Sequence, residues 1–250
     1  MLARPFATAC SSSPLAGGGN LQVIVDFKPG NDISDDMLTQ LRRPFQGLAD
    51  MGKWGGMAGE GHQPKESTLD MIINGKQVAP RCVRWDFDAT NIDPGTAFVI
   101  QNMVHYLHLF VAPVRKLELH GPLVRDGTVV SDELPIDYEP CPFTVHDDRE
   151  SSTVMVDVDF CKRQAPLAAD PFREAWDGWY EVAAHGGFCS EDYPIDEISI
   201  EVEDDLRVTS TGIGGVFEDV VIDDAGFCCL INMLQVLHDR LTPISEVTIE

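Results

Sequence analysis

The sequence repeats itself at a constant offset between its two halves, and this repetition restricts the possible folds more than any other feature. Residues 87–119 align without a gap on residues 217–249, and eight of the 33 pairs are identical. Two unrelated stretches of ordinary composition would share roughly two identities. The alignment therefore predicts an internal duplication. The identical pairs are Phe87/Phe217, Ile92/Ile222, Asp93/Asp223, Asn102/Asn232, Met103/Met233, Leu107/Leu237, His108/His238 and Pro113/Pro243.

Both halves of the chain have the same predicted order of elements. Alternating apolar residues predict four strands in the first half, near residues 21–27, 69–73, 82–88 and 116–120. Helical spacing predicts one helix after Ser34 and another at about Thr96–Val111. The second half begins its strands at Val154–Val158, where Asp157 is predicted to take the place of Asp26. The order is the split βαβ, or ferredoxin-like, pattern. We predict an α+β protein that is a tandem duplication of a ferredoxin-like (βαββαβ) unit, with antiparallel sheets and a pseudo-twofold axis.

Composition along the chain predicts the boundaries of these units. Residues 1–20 carry no acidic residue and contain runs of Ser and Gly, which is typical of a disordered leader. The first unit is predicted at 21–120 and the second at 153–250. Residues 121–152 are rich in Pro and acid, and we interpret them as a linker with a short strand at Phe143–Val145.

The charge balance and the cysteines restrict partners and location. The chain has 41 acidic and 18 basic residues and a net charge of -23. Such a field repels nucleic acid and anionic membranes and attracts basic partners, although solubility or a salt-adapted cytoplasm would also explain it. No apolar run is long enough to predict a membrane span. The seven cysteines form no C-x-x-C pair, which favours reduced thiols and a cytoplasmic protein.

One predicted site is an open acidic face of the two sheets. In a split βαβ unit the helices cover one face of the sheet, so the polar residues of the alternating strands lie on the other. Ordinary amphipathicity would also produce such a pattern. Clustered like charges on neighbouring strands cost stability, however, and a basic partner would compensate for them. The predicted binding residues are Asp26, Asp70, Asp86, Asp88, Glu118, Asp157, Glu201, Glu203 and Glu218.

The alternative site is a pocket between the two units. Aromatic and histidine side chains from both halves could converge there and form the site of an enzyme or a small-ligand binder. The candidates are Trp85, His105, His108, Trp176, Trp179 and His238. His105 and His108 could reach one metal ion, but Gln235 replaces His105 in the second half and no further ligand lies at helical spacing. No metal and no cofactor are therefore predicted.

No catalytic motif is identified in the sequence. His185 and Cys189 are close in sequence, but a nucleophile pair requires contact in space and an orienting third group. Asp86 and Asp88 point the same way on one strand, which permits acid–base chemistry but is commoner in a solvated strand face. We therefore expect a non-catalytic acidic binding protein, such as an inhibitor or immunity-type antagonist of a basic enzyme, or a nucleic-acid mimic.

Overall fold

The computed structural model describes residues 4–129, 134, 136–138, 140–149, 152–163 and 169–250. Over these residues the protein has a mixed α+β architecture with four α-helices and three sheets. Two of the sheets have five strands each, one in each half of the chain. The third is a small ribbon of β6 (Val124–Arg125) and β7 (Thr128–Val129) between the halves.

The first sheet has the strand order β1-β5-β2-β4-β3. Its strands are β1 (Ala7–Ser11), β2 (Leu21–Phe27), β3 (Thr68–Ala79), β4 (Cys82–Thr90) and β5 (Val114–His120). β1 is parallel to β5, and the other neighbours are antiparallel. The helices α1 (Asp35–Lys53) and α2 (Thr96–Phe110) belong to this half, together with a 3-10 turn at Pro64–Glu66. The Ser34 hydroxyl caps α1 by accepting a hydrogen bond from the backbone N–H of Met37, at 3.2 Å.

The second sheet has the strand order β10-β11-β9-β12-β8. Its strands are β8 (Thr144–Asp147), β9 (Val154–Phe160), β10 (Ser199–Val208), β11 (Gly212–Val221) and β12 (Ile244–Ile249). β8 is parallel to β12, and the remaining pairs are antiparallel. The helices of this half are α3 (Ala169–Ala184) and α4 (Ala225–Arg240). Twelve of the 16 residues of α4 are buried, which explains why it is apolar on nearly all sides.

The N-terminal segment differs from its prediction. The composition of residues 1–20 predicts a disordered leader, whereas in the structure residues 7–11 form strand β1, which pairs with β5. The backbone of β5 has hydrogen-bonding groups free on that side, and pairing with β1 satisfies them. Residues 1–3 lie outside the described residues, and so does part of the predicted linker at 130–133, 135, 139 and 150–151.

The pairing of the strands corrects one predicted correspondence between the halves. Asp26 pairs with Cys82 on β4. At the offset that relates Phe87 to Phe217, Cys82 corresponds to Gly212, and Gly212 pairs with Asp159 on β9. Asp159 therefore takes the place of Asp26, and the prediction that Asp157 does so is wrong. The alternation of β9 is the same in either alignment, so the sequence pattern could not distinguish the two registers.

The two halves pack together where α1 crosses α3. Gly47 and Gly178 meet at this crossing: a Cβ atom on either would lie 3.0 Å from the carbonyl oxygen of the other. The backbones of the two helices are therefore in direct contact, and only glycine leaves room for this approach.

The second helix of each half packs against the loop that follows the first helix of the other half. A Cβ atom on Gly56 would lie 3.0 Å from the Cγ of Met233 on α4. On the opposite side, a Cβ atom on Gly187 would lie 3.2 Å from Cγ1 of Val99 on α2. One continuous apolar core consequently includes residues of both halves.

Candidate functional site

Two acidic side chains of the first sheet, Asp26 and Glu118, are neutralised by neighbouring basic residues. Lys116 Nζ lies 2.7 Å from Oε1 of Glu118, and Arg115 forms an ion pair with Asp26. The pKa of Glu118 is lowered, chiefly because its carboxylate accepts a hydrogen bond from Lys116. The alternation of the strands predicts Asp26 and Glu118 on an open acidic face, whereas in the structure both residues are in local ion pairs.

Asp86 is not on an open surface, which corrects its predicted position. Its side chain is 0% exposed and forms an ion pair with Arg84, with Nη2 and Oδ1 2.6 Å apart. The N-terminal segment covers the pair, because a side chain at Gly18 would overlap both residues. The side-chain amide of Gln22 holds this segment by donating to the Leu15 carbonyl oxygen at 2.9 Å. The alternation of residues along a strand does not indicate whether a distant segment of the chain covers one of its faces.

The second sheet lacks the basic residues that neutralise the first. At the offset between the halves, Gly214 corresponds to Arg84 and Glu246 corresponds to Lys116. Asp157 pairs with Gly214, and its carboxylate lies over that glycine. Asp159 is directly opposite Glu246. At these positions two cations of the first sheet are thus replaced by a glycine and an additional carboxylate.

Opposed acidic pairs also occur on the outer hairpin of each sheet. Asp70 lies opposite Asp88 in the first sheet, and Glu201 lies opposite Glu218 in the second, with all four exposed. Like charges that face each other across two strands destabilise a sheet.

We call the following residues the second-sheet acidic face: Asp157, Asp159, Glu201, Glu218, Glu246 and Glu250. Two basic side chains lie in the same rows of this sheet. Arg207 is opposite Gly214, and His146 Nε2 is 3.7 Å from Oε1 of Glu246. The side chain of Glu203, which was predicted in this group, lies outside the described residues.

The tryptophans predicted to line a pocket between the halves lie in separate parts of the core. Trp85 is buried in the first half and stacks on Phe45, with ring centroids 4.1 Å apart. Trp176 and Trp179 pack around Phe217 in the second half, at 5.2 and 5.1 Å. These contacts do not bring the three indole rings to one cavity.

His108 and His238 each accept a hydrogen bond from the backbone of the segment that follows their own helix. His108 Nδ1 accepts a hydrogen bond from the backbone N–H of Val114 at 3.0 Å, and His238 Nδ1 accepts one from Ile244 at 2.9 Å. Each bond connects a helix to the strand after it. This role accounts for the His108/His238 identity without a catalytic function.

The repeated asparagine on α2 forms a buried polar contact between the halves. Asn102 Nδ2 donates to the carbonyl oxygens of Gly187 and Cys189, at 3.0 and 2.8 Å. Its Oδ1 accepts a hydrogen bond from the guanidinium of Arg4. Sequence reasoning missed Arg4, because it lies in the predicted leader; the only signal was a single basic residue in an acid-free segment.

The same environment depresses the basicity of His105. Its Nδ1 lies 3.2 Å from Nη1 of Arg4. Burial lowers the pKa of His105 to about 4, and the nearby charge of Arg4 acts in the same direction. His105 is therefore neutral at pH 7.

The pair formed by His185 and Cys189 is not arranged for nucleophilic catalysis. His185 Nδ1 is 2.7 Å from the carbonyl oxygen of Glu181 on its own helix, and the Cys189 thiol donates to the Gly186 carbonyl oxygen. Burial raises the pKa of Cys189 to about 11, so the thiol is protonated at pH 7.

In the part of the chain that the structure describes, no group of three or more His, Cys, Asp or Glu side chains could hold a metal ion. Within the same ranges, no helix combines the length and apolar character needed to cross a membrane.

Comparisons with known proteins do not assign the chain to a family. No family model and no curated protein matches it. Among solved structures, a chain of "Complex III2 from Candida albicans, Inz-5 bound" is similar over 87% of this chain and 70% of its own, with 8% identity and a TM-score of 0.18. A similarity at this level carries no argument about fold or function.

Proposed function

We propose that the protein is a non-catalytic binding protein that engages a basic protein partner through the second-sheet acidic face. The observation that carries this proposal is the difference between the two sheets at equivalent positions. Arg84 and Lys116 pair with carboxylates in the first sheet, whereas Gly214 and Glu246 stand at those positions in the second.

The opposed carboxylates give a physical reason for a partner. Glu201 faces Glu218, and Asp159 faces Glu246, so their mutual repulsion is present in the free protein. Basic side chains from a partner would relieve that repulsion. The net charge of -23 would also accelerate encounter with a basic protein.

The same charge argues against nucleic acid as the partner, because phosphates would be repelled. All seven cysteines are free thiols. Free thiols are typical of a reducing compartment, which supports our proposal of a cytoplasmic location.

We also propose that the chain is a tandem duplication of a ferredoxin-like unit, with units at 21–120 and 153–250 joined by 121–152. The strand orders β5-β2-β4-β3 and β12-β9-β11-β10 support this proposal, since both place the fourth, first, third and second strands of a half side by side. The matching bonds of His108 and His238 support it further.

A salt-dependent capture experiment tests the binding proposal. The variant Asp157→Asn/Asp159→Asn/Glu246→Gln removes three charges from the second-sheet acidic face. We expect the wild-type protein to retain a basic protein from native lysate at low salt and to release it at high salt. The Debye length falls from about 10 Å at 0.1 M to about 3 Å at 1 M, which removes the steering. The variant should capture much less of the same protein and should be more stable than wild type.

The matched control is Asp32→Asn/Asp192→Asn/Glu197→Gln, which removes three charges from loops outside both sheets. We expect the control to bind the captured protein with nearly the wild-type association rate. Equal binding by both triple variants would refute the proposed face, because only total charge would then matter.

A further inference from the structure

Asn102 and Asn232 occupy equivalent positions on α2 and α4 but differ in their hydrogen bonds. The Oδ1 atom of Asn102 accepts from the Arg4 guanidinium. The side chain of Asn232 donates from Nδ2 to the Asp137 carbonyl oxygen at 3.2 Å. Its Oδ1 is buried and, among the described residues, has no hydrogen-bond partner, while the residue as a whole is 1% exposed. Buried acceptors are almost always satisfied, so this oxygen requires an explanation.

The position that corresponds to Arg4 can be located from the aromatic residues that precede the edge strands. Phe6 lies beside His108 with ring centroids 6.1 Å apart, and Phe143 lies beside His238 at 5.7 Å, both with an angle of 41° between the rings. Cys141 is therefore the counterpart of Arg4, since each stands two positions before its aromatic residue. The Cys141 thiol donates to the Phe143 carbonyl oxygen at 3.4 Å and brings no positive charge.

A cavity of about 490 Å³ lies beside Asn232. Asn232 lines it, together with the carboxylate-bearing residues Glu60, Asp93 and Asp137 and the aromatic ring of Tyr138. The lining residues that the structure describes include one histidine, His62, and no Lys or Arg. Asp93 corresponds to Asp223 at the offset of 130, and Glu60 corresponds to Glu191 at the offset of 131 that relates Gly56 to Gly187.

The buried carboxylate in this cavity is itself short of positive charge. Burial raises the pKa of Asp93, and the negative charge of Glu60 raises it as well, while backbone N–H groups of Gly95 and Glu60 act in the opposite direction. A cation in the cavity would stabilise the ionised carboxylate and give Asn232 Oδ1 a donor.

We propose that this cavity binds a guanidinium group supplied from outside the chain, and we call it the Asn232 cavity. A guanidinium has planar N–H donors for the carboxamide and carboxylate oxygens and a flat face for Tyr138. The internal precedent is Arg4, whose guanidinium donates to Asn102 and lies over the Phe98 ring at 5.1 Å. The Asn232 cavity and the second-sheet acidic face share no residue, so they are independent sites.

In the test, methylguanidinium chloride is titrated into the protein. Binding is measured by calorimetry and by the NMR chemical shifts of the Asn232 side-chain amide. We expect saturable binding with a Kd of about 1–10 mM, the scale for a very small ligand. Glu60→Gln should raise the Kd roughly tenfold by removing one charged partner. Glu60 is exposed, so this change leaves the fold intact.

Two substitutions, each of which gives Arg4 or Cys141 the residue type of the other position, make the test specific to the Asn232 cavity. Cys141→Arg should place a guanidinium in the Asn232 cavity, raise the Tm and abolish methylguanidinium binding. Arg4→Cys should lower the Tm, create a second methylguanidinium site beside Asn102 and be partly rescued by the added ion. Absence of saturable binding to wild type, or unchanged binding in both Glu60→Gln and Cys141→Arg, would overturn the proposal. Equal competition by Na⁺ or Mg²⁺ would also overturn it, since the site would then be a general cation site.

Two further probes distinguish whether the guanidinium group belongs to a protein partner or to a free compound. They are argininamide and a tripeptide with a central arginine and blocked ends. Tighter binding of the tripeptide, by about tenfold or more, indicates an arginine side chain of a protein partner. Equal binding of the two probes indicates a free guanidinium compound. Either result supports the guanidinium site and identifies its occupant by class.

Discussion

The crossing of α1 and α3 allows the packing of the two halves to be tested with single methyl groups. A Cβ atom on Gly47 would lie 2.6 Å from the Glu181 Cβ, and one on Gly178 would lie 2.9 Å from the Asp50 Cβ. Both distances are shorter than non-bonded carbon atoms tolerate, so the helices must move apart. Gly47→Ala and Gly178→Ala each add a methyl group at the same crossing.

The expected change in unfolding free energy of the two glycine variants follows from two opposing effects. Alanine in place of glycine within a helix stabilises by about 0.5–1 kcal/mol. Overpacking of a close contact costs about 1–3 kcal/mol, so each variant should lose up to about 2.5 kcal/mol of unfolding free energy. The double variant should lose less than the sum, because one separation of the helices relieves both overlaps.

Urea unfolding of the full-length protein measures these free energies, and the corresponding fall in Tm is about 2–4 °C for each kcal/mol. Thr39→Ala is the control, since Thr39 is exposed on α1 and its replacement should change stability by no more than about 0.5 kcal/mol. An increase in stability for both glycine variants, or strictly additive losses in the double variant, would refute the direct backbone contact between the halves.

Two histidines give further predictions. His105 has its pKa lowered to about 4 in the folded state, so the unfolded state binds more protons between about pH 6.5 and 4 and stability is lost as pH falls through that window. His105→Gln introduces the residue type of the equivalent Gln235 and should remove about 1–2 kcal/mol of this loss, after allowance for the partial exposure of His105. The measurement is the difference in unfolding free energy between pH 7 and pH 4.5. An identical pH dependence in wild type and variant would contradict the lowered pKa of His105. His238→Ala leaves the buried N–H of Ile244 without its acceptor and should cost about 1–3 kcal/mol in urea unfolding; a loss below about 0.5 kcal/mol would show that the bond does not anchor β12.

The sequence by itself determined the features that depend on local periodicity. The alternation of β2 and β9 and the helical spacing of α2 and α4 are properties of neighbouring residues, so the order of elements could be predicted from them. The constant offset between the halves linked Asn102 to Asn232 and His108 to His238, and these pairs do occupy matching positions on their helices. The net charge is likewise a property of the composition.

Only the tertiary structure decided which of these residues are exposed, paired or in contact. Asp86 and Asp88 share one strand face, yet a segment far away in sequence buries Asp86 and leaves Asp88 exposed. Arg4 reaches Asn102 across 98 residues of sequence, and no local pattern encodes that contact. Burial, ion pairing and cavities arise where distant segments meet, and a period of about two or 3.6 residues describes only one segment at a time. For that reason the acidic face of the second sheet and the Asn232 cavity became visible only when the chain was folded.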